Sequence, residues 1–564
     1  MKRTLSRLTS TLVVLLVLCP CAFAQRPKSK PPAQRPKAAA AQPGSEAQPK
    51  AAGEAEGQGA LEELAKLPPA ERVERLAAWL KANTSSPQAG RARELLTSAR
   101  AALGDERLRA SDRAAGVELF RAAVAEAPEG MSDELFFKVL AQLPANLFLA
   151  GEREAAVEVA RAVEGRAKGS APRLLSVAAF FLGVEQPDEA ARLAQQAAAL
   201  QPDLAAAHQA LGAAHRVALR LDEAAAAYAR ALELDPKSAA ARRSLADLRR
   251  ATGKSEEALA LYRELLAADP NDANARAGLV LALFDAGQRA EAERELDAAL
   301  LSQPGNLPLL VGAAYWYAAR GEGQRALEYS QKALALEPRY RWVWARVAHA
   351  RALLAARRPF EAEQYLRSAR ELGSFPTLDY ELASALASAG LYEEAAEELA
   401  RSFTVRDGQL ETRLAGRVES RAADFEELLA PERRAGLFQF RGADTPQQSR
   451  QLKALLAFHL ASKADAALNE RQAAEATEAA REFGAGEDEM RAYRNLYVAG
   501  RMLQRGLPSR TALERTEAAI PGVEAALSTP VAPFALFADE ARELRARARE
   551  LNTPVTAPPA PREP

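Results

Sequence analysis

Apolar residues recur at three- and four-residue spacings over most of this chain, the period of an amphipathic helix. From Leu61 to Pro128 the marks are Leu64, Leu67, Leu76, Trp79 and Leu80, then Leu95, Leu96, Leu103 and Leu108, then Val117, Phe120 and Val124. Pro68, Pro87 and Pro128 separate these groups. The spacing predicts helices broken at the prolines, because proline lacks the amide donor that a helix interior needs. Farther along, Pro202, Pro236, Pro270, Pro304 and Pro338 fall 34 residues apart, and Ala156, Ala190, Ala224, Ala258, Ala292 and Ala326 keep the same interval. Two ladders locked to one period predict a helix-turn-helix unit repeated in tandem.

The units align position by position. The one from Ala205 has His208, Leu211, Gly212 and His215 on its first helix and Ala224, Tyr228 and Ala231 on its second. The next has Leu245, Gly253, Ala258, Tyr262 and Pro270, and the one after it Leu279, Leu283, Gly287, Ala292, Leu296, Ala299 and Pro304. Ala313, Ala314, Tyr317, Gly321, Ala326, Ala333 and Pro338 follow in register, and Val177, Ala178, Phe181, Ala190, Ala194 and Ala197 precede. This pattern resembles the tetratricopeptide repeat, Trp-x2-Leu-Gly-x2-Tyr, then Ala-x3-Phe, then Pro. The resemblance implies an all-α fold, a right-handed superhelical solenoid of helix-turn-helix repeats.

Small residues such as Gly212 and Ala224 would let the two helices of a unit approach closely. Gly253, Gly287, Gly321 and Gly390 fall at the turn inside the hairpin, where a positive φ is cheap only for glycine. His208, Arg242, Arg276 and Leu310 stand where the family prefers Trp, and Trp344 fills that slot. From Trp344 to Ala362 there are 18 residues against 16 from His208 to Ala224, so two extra residues are expected in the turn around Arg357, Arg358 and Pro359. A last unit carries Leu382, Ala383, Leu386, Gly390, Ala395 and Leu399.

These patterns divide the chain into a signal peptide (1–24), a spacer (25–60), divergent helical capping hairpins (61–136), the repeat array (137–402), a mostly helical region, degenerate repeats included (403–552), and a proline-rich tail (553–564). Phe403 to Leu414 alternates like a strand with Asp407-Gly408 as a hairpin turn, and a loop fits as well. Helices are expected near 422–440, 446–483, 487–507 and 537–551.

Composition changes this picture at the N-terminus. A basic start, an apolar run Leu12 to Leu18 and Ala22-Phe23-Ala24 before Gln25 read as a secretory signal cut after Ala24, too short to span a bilayer. Export to the periplasm or outside the cell is expected, with no stable membrane insertion afterwards. Acylation of Cys19 or Cys21 would tether the chain instead, but Leu18 and Pro20 fit poorly before a modified cysteine. Both cysteines lie in the signal, so a mature chain holds no thiol for disulfides or metal. The 75 basic and 75 acidic residues cancel, and residues 1–24 hold three basic and no acidic ones, so their loss leaves a net charge of −3. No global basic field draws the chain to nucleic acid.

Four histidines, no mature cysteine, no His-Glu-x-x-His, no phosphate loop and no nucleophile elbow leave little for an active site. The expected function is a non-catalytic scaffold or adaptor without cofactor or metal, of unknown oligomeric state. The family lines its groove with the second, fifth, ninth, twelfth and thirteenth positions of the first helices. Here those include Arg216, Arg243, Asp247, Arg250, Asn274, Phe284, Tyr315, Trp342 and His349. Arginines suit a carboxylate and aromatics an apolar side chain, so a protein or peptide partner is expected there. The same arginines could instead pair with Asp247, Asp285 and nearby glutamates. Other readings are a membrane-tethered assembly factor, a glycan binder using Tyr315, Trp316, Tyr317, Tyr340, Trp342 and Trp344, or an enzyme with its chemistry after Ser402. As a test of the register, Ala258→Trp should overpack the array and cost about 1–3 kcal/mol or more; an unchanged melting temperature would count against it.

Overall fold

The computed structural model describes residues 59–435 apart from 337–342, 374 and 390, then most of 448–460 and a few positions between 510 and 549. The expected signal peptide, nearly all of the spacer, Gly390, Tyr340, Trp342, most of the helices expected beyond 461 and the tail lie outside the described residues. The chain divides into two compact units, one of residues 1–217 with 226–241 and one of 218–225 with 242–564.

In the first unit the helices are α1 (Pro69–Ala82), α2 (Ala89–Arg109), α3 (Arg113–Ala125), α4 (Asp133–Lys138), α5 (Leu143–Leu149), α6 (Arg153–Ala167), α7 (Ala171–Gly183), α8 (Pro187–Leu200) and α9 (Ala205–Val217). Asp112 starts α3 by accepting the Ala115 amide, and Ser132 starts α4 by accepting that of Leu135, the usual side-chain answer to unpaired first-turn donors. α2 and α3 pack so closely that a Cβ added at Gly104 would lie 2.5 Å from the Phe120 ring. Gly212 likewise faces Tyr228, whose ring would be 2.9 Å from an added Cβ. The core runs from Ala101 to Ala214 as one cluster. α10 (Leu221–Leu234) and α11 (Ala239–Ala251) contribute residues to both units.

The second unit continues with α12 (Ser255–Ala268), α13 (Ala273–Asp285), α14 (Arg289–Ser302), α15 (Leu307–Ala319), α16 (Gly323–Leu334), α17 (Val343–Ala355), α18 (Pro359–Arg370), α19 (Pro376–Ser388) and α20 (Tyr392–Leu399). Each first helix packs on its own second helix and on the next first helix, as α13, α15, α17 and α19 do in turn. After α20 comes an antiparallel meander of β1 (Phe403–Arg406), β2 (Gln409–Leu414) and β3 (Val418–Ala422), paired in that order. Asp407 and Gly408 both take positive φ in the turn between β1 and β2, as a two-residue hairpin loop requires. Ala415 and Gly416 also take positive φ, in a three-residue loop before β3, a strand where the periodicity had suggested none. α21 (Phe425–Ala435) closes the described run. The fold is mostly helical with this one minor sheet.

Each hairpin from α7 to α18 closes the same way. The residue two past its first helix, Glu185, Leu219, Gly253, Gly287, Gly321 or Arg357, has positive φ. The next amide then reaches back five residues, as from Lys254 to Arg249 O (2.8 Å), Gln288 to Leu283 O (2.9 Å), Glu322 to Tyr317 O (3.0 Å) and Arg358 to Leu353 O (2.8 Å). This 6→1 bond satisfies carbonyls orphaned at the helix end. It also corrects one expectation. α17 and α18 start 16 residues apart, as α15 and α16 do, so the turn around Arg357 holds no insertion; the two extra residues lie between α16 and α17. A closed turn cannot absorb extra residues without losing its bonds, whereas a connecting loop can. Trp344 therefore moves out of the family's Trp slot, which Arg346 fills, donating to Ser368 O (2.8 Å).

Arg357 is an exposed non-glycine residue at a position that favours glycine. Arg357→Gly is expected to raise stability by about 0.5–1 kcal/mol, while Arg358→Gly, at φ −118°, should lower it; urea unfolding of the two variants checks both signs.

Candidate protein-interaction surface

Three residues 34 apart, Ser238, Asp272 and Asn306, stand before α11, α13 and α15, and each does two things. Ser238 Oγ accepts the Ala241 amide (3.3 Å), Asp272 Oδ1 those of Asn274 and Ala275 (3.0 Å each), and Asn306 Oδ1 that of Leu309 (3.1 Å). Each also holds the preceding first helix. Gln209 Nε2 donates to Ser238 Oγ (3.1 Å) in the first unit. In the second unit Arg243 pairs with Asp272, and Asn306 donates to Ala273 O (3.3 Å). Arg243, a fifth-position groove candidate, is thus committed to the next repeat. Partial burial works to raise the Asp272 carboxyl, but the Ala275 amide and Arg243 outweigh it and hold it below its usual range.

The other candidates in the second unit are distributed unevenly. Asn274 is exposed, and Asp247 is half-buried, accepting the Tyr262 hydroxyl. Burial, then Asp247, pushes the Tyr262 hydroxyl well up. Arg250 is buried against Asp285 at 3.5 Å, the pairing held open as the alternative to partner binding. Phe284 is buried with its ring 4.3 Å from that of Trp316. Tyr315 is 4% exposed, with the Arg351 guanidinium 5.5 Å from its ring centroid. Neither Phe284 nor Tyr315 presents apolar surface to solvent, because packing between successive first helices uses it. Trp342 lies outside the described residues, and Arg216 is half-buried in the last turn of α9 in the first unit.

The aromatic run is committed to packing. Trp316 Nε1 donates to Phe284 O (3.3 Å), Arg320 lies 3.7 Å over its ring, and the Tyr317 hydroxyl donates to Glu293 (3.0 Å). The rings of Tyr315, Trp316 and Tyr317 therefore offer no open stacking platform for a sugar.

Moving the insertion ahead of α17 also moves its positions. The ninth residue of α17 is Arg351, not His349, and the second is Trp344, not Trp342. Arg351 forms a buried pair with Glu381 of α19, Nε to Oε2 at 2.9 Å; removing one partner of such a pair typically costs about 3–5 kcal/mol. His349 points away from the first-helix line instead. Its Nδ1 meets Ser330 Oγ of α16 at 2.9 Å, and its ring stands edge-on to Tyr365 of α18 at 4.4 Å. Sequence reasoning missed Asp272, Arg351 and Glu381. The first stood one residue ahead of the helix being scanned, and the other two required the register after the insertion.

Four first helices of the second unit are covered along their middle turns. Residues 277–284 of α13, 309–317 of α15, 347–353 of α17 and 376–387 of α19 are buried without a break. A helix with a solvent face cannot do this, since its period brings every side round within four residues. Among the described residues, no group of three or more His, Cys, Asp or Glu is set to hold a metal ion, and no helix is long and apolar enough to cross a membrane.

Tandem hairpins with recurring closing turns and capped first helices define a helical repeat scaffold. Models of the tetratricopeptide repeat match at residues 181–238, 210–273 and 347–409 and, with a second model, at 249–313. Tetratricopeptide repeats thus run through residues 181–313 and 347–409, and repeats of this kind make protein-interaction scaffolds. Similar solved structures include YrrB, described as a tetratricopeptide repeat protein with an unusual peptide-binding site, at 22% identity over 35% of this chain and 96% of that one, TM-score 0.28. Others are a tetratricopeptide repeat protein from Parabacteroides merdae (16%, 51% and 98%, TM-score 0.35) and pilF of Pseudomonas aeruginosa (17%, 40% and 94%, TM-score 0.29). No curated protein matches the chain.

Burial, and secondarily Arg358, lowers the His349 imidazole to about 4, while Glu361 works the other way. A depressed folded value means its contribution to stability is complete above the unfolded value near 6.5 and is lost as pH falls toward 4. Wild type should lose about 1–3 kcal/mol more than His349→Asn between pH 7 and pH 4, read from melting curves; parallel curves would remove His349 as the titrating group.

Proposed function

We propose that this chain is an exported adaptor that holds a protein or peptide partner on the first-helix side of its tetratricopeptide array. The observation that carries the reading is the register of the repeats: helix starts, closing turns and caps recur every 34 residues from α9 to α15, within the longer family-matched stretch. The N-terminal basic, apolar and small-x-small pattern supports export, and the polar, proline-rich spacer that follows suits a tether between the cleavage point and the first hairpin. Arg216, Asp247 and Asn274, with Arg243 if a partner carboxylate replaces Asp272, are the helix residues we assign to partner contact, and Trp342, which precedes α17 in sequence, is assigned from the connection ahead of it. Arg250, Phe284 and Tyr315, buried as they are, would support the shape of that face and not touch the partner, and His349 is turned to the second helices. Assembly of envelope complexes is the process this role would serve.

The experiment is affinity capture from envelope extract with the mature chain beside an Arg243→Gln, Asn274→Arg, Trp342→Ala variant of unchanged circular dichroism. A partner retained by the mature chain should fall by about ten-fold or more on the variant, as loss of two or three contact residues commonly produces. Equal capture would remove the first-helix face from the reading. Terminal sequencing of the envelope-fraction protein should begin at Gln25; a chain still beginning at Met1 would remove export.

A further inference from the structure

The last first helix among the described residues, α19, is covered by the chain's own downstream segment, through a line of polar contacts beside the buried Phe425, Leu428 and Leu429. The Thr377 hydroxyl donates to Glu432 Oε2 (2.7 Å), and the Ala415 amide donates to Glu432 Oε1 (3.2 Å). The Arg433 guanidinium lies 4.8 Å from the Tyr380 ring centroid. Phe425 sits between Tyr380 (5.1 Å) and Phe403 (4.9 Å). Two adjacent residues farther on fasten both helices. Gln448 Nε2 donates to Ser384 Oγ of α19 (2.9 Å), and Ser449 Oγ accepts the amides of Phe425 and Glu426 (2.8 and 3.1 Å), capping α21 from outside its own segment. Leu452, Leu455 and Leu456 join the same apolar cluster as Leu382 and Leu386.

We propose that α21, stapled by Gln448 and Ser449, is a tethered helical ligand occupying the α19 face, and that an incoming partner helix reaches that face only by displacing it. This rests on the reading that first-helix faces receive partner chains. Three features mark the contact as an exchangeable one. Thr377, Tyr380 and Ser384 present a hydroxyl-bearing strip, whereas the α13 and α15 positions facing their neighbours are mostly aliphatic or aromatic. That strip meets a carboxylate, a guanidinium and an amide, each of which regains water on leaving, so the net worth of each bond is small. Ser449 takes the first two amides of α21 while its own Asp424 takes that of Glu427 (2.9 Å), so loosening the staple removes part of the cap and weakens the helix and its docking together. Burial also pushes the Glu432 carboxyl up, a sign that the closed state holds this group at some cost. The chemistry of a competing partner follows from the occupant: an amphipathic helix with an aromatic residue in its first turn, two leucines next, and an adjacent Glu-Arg pair about two turns from the aromatic.

The test uses the full mature chain and a fluorescent peptide of sequence Phe425 to Ala435. In a Glu432→Lys, Arg433→Glu variant the weakened occupant should let the peptide bind about ten-fold or more tightly than to the parent, and α19 amides should exchange faster while those of α13 do not change. Adding Thr377→Val should weaken the peptide again. If the variant loses helix by circular dichroism, Gln448→Ala with Ser449→Ala provides the same comparison. Equal binding to parent and variant, or none to either with α19 equally protected, would make this segment a fixed cap and overturn the proposal. A chain that passes this test and yet holds no partner from the envelope would leave the closure standing and remove only the scaffold reading.

Discussion

Ser238, Asp272 and Asn306 sit where the first amides of a helix have no partner inside it, and each satisfies them while also gripping the repeat before. The rest of the array depends on this double use. A first helix that begins at a shared cap is placed in both angle and register relative to its predecessor, so Gly278 can approach the Tyr262 ring and Gly312 the Leu281 side chain, contacts where an added Cβ would come within 2.4 Å. The closing turn then fixes the second helix 16 residues later, and the pattern is handed on. Because each cap is bound to its neighbour, forming one helix and docking it are not independent events. Stability in such a stack is a sum of weak units and strong interfaces, and here the interface term includes the nucleation of the next helix.

The fold was legible because the features that build it are local and periodic. Pro236, Ala258 and Gly287 each say something about one position in one hairpin, and their recurrence says it again. What could not be read depended on side chains far apart in sequence. Whether Arg243 faces a partner or Asp272, and whether Arg250 is free or held by Asp285, turns on geometry that a spacing of 29 or 35 residues does not reveal. The insertion before α17 was visible as a length, but not where it fell, and that alone exchanged Arg351 for His349 on the first-helix line. The positive φ at Glu185, Leu219 and Arg357 escaped notice for a different reason: the backbone accepts a modest strain there that no residue type advertises.

Charge pairing along the first helices bears on how a partner would be recognised. Arg243 and Arg250 already have carboxylates, so an acidic partner side chain exchanges one ion pair for another and gains little net energy. Such a face discriminates by position and sign more than it binds by strength. Affinity would have to come from exposed groups such as Asn274, from the connecting loops, or from uncovering apolar surface that the chain now keeps to itself.

A stack of like repeats presents at its last hairpin a surface that matches the start of another copy, and head-to-tail contacts of that kind propagate without closing. The meander of β1, β2 and β3 with α21 ends this possibility at one side of the second unit. Phe403, Leu410, Leu414, Phe425 and Leu428 bury the apolar end of α19 and α20 under a layer unlike any repeat. Its outer positions, Arg406, Glu419 and Arg421, are polar. The small sheet thus replaces, at that side of the described array, a face that the repeats of another copy could have continued.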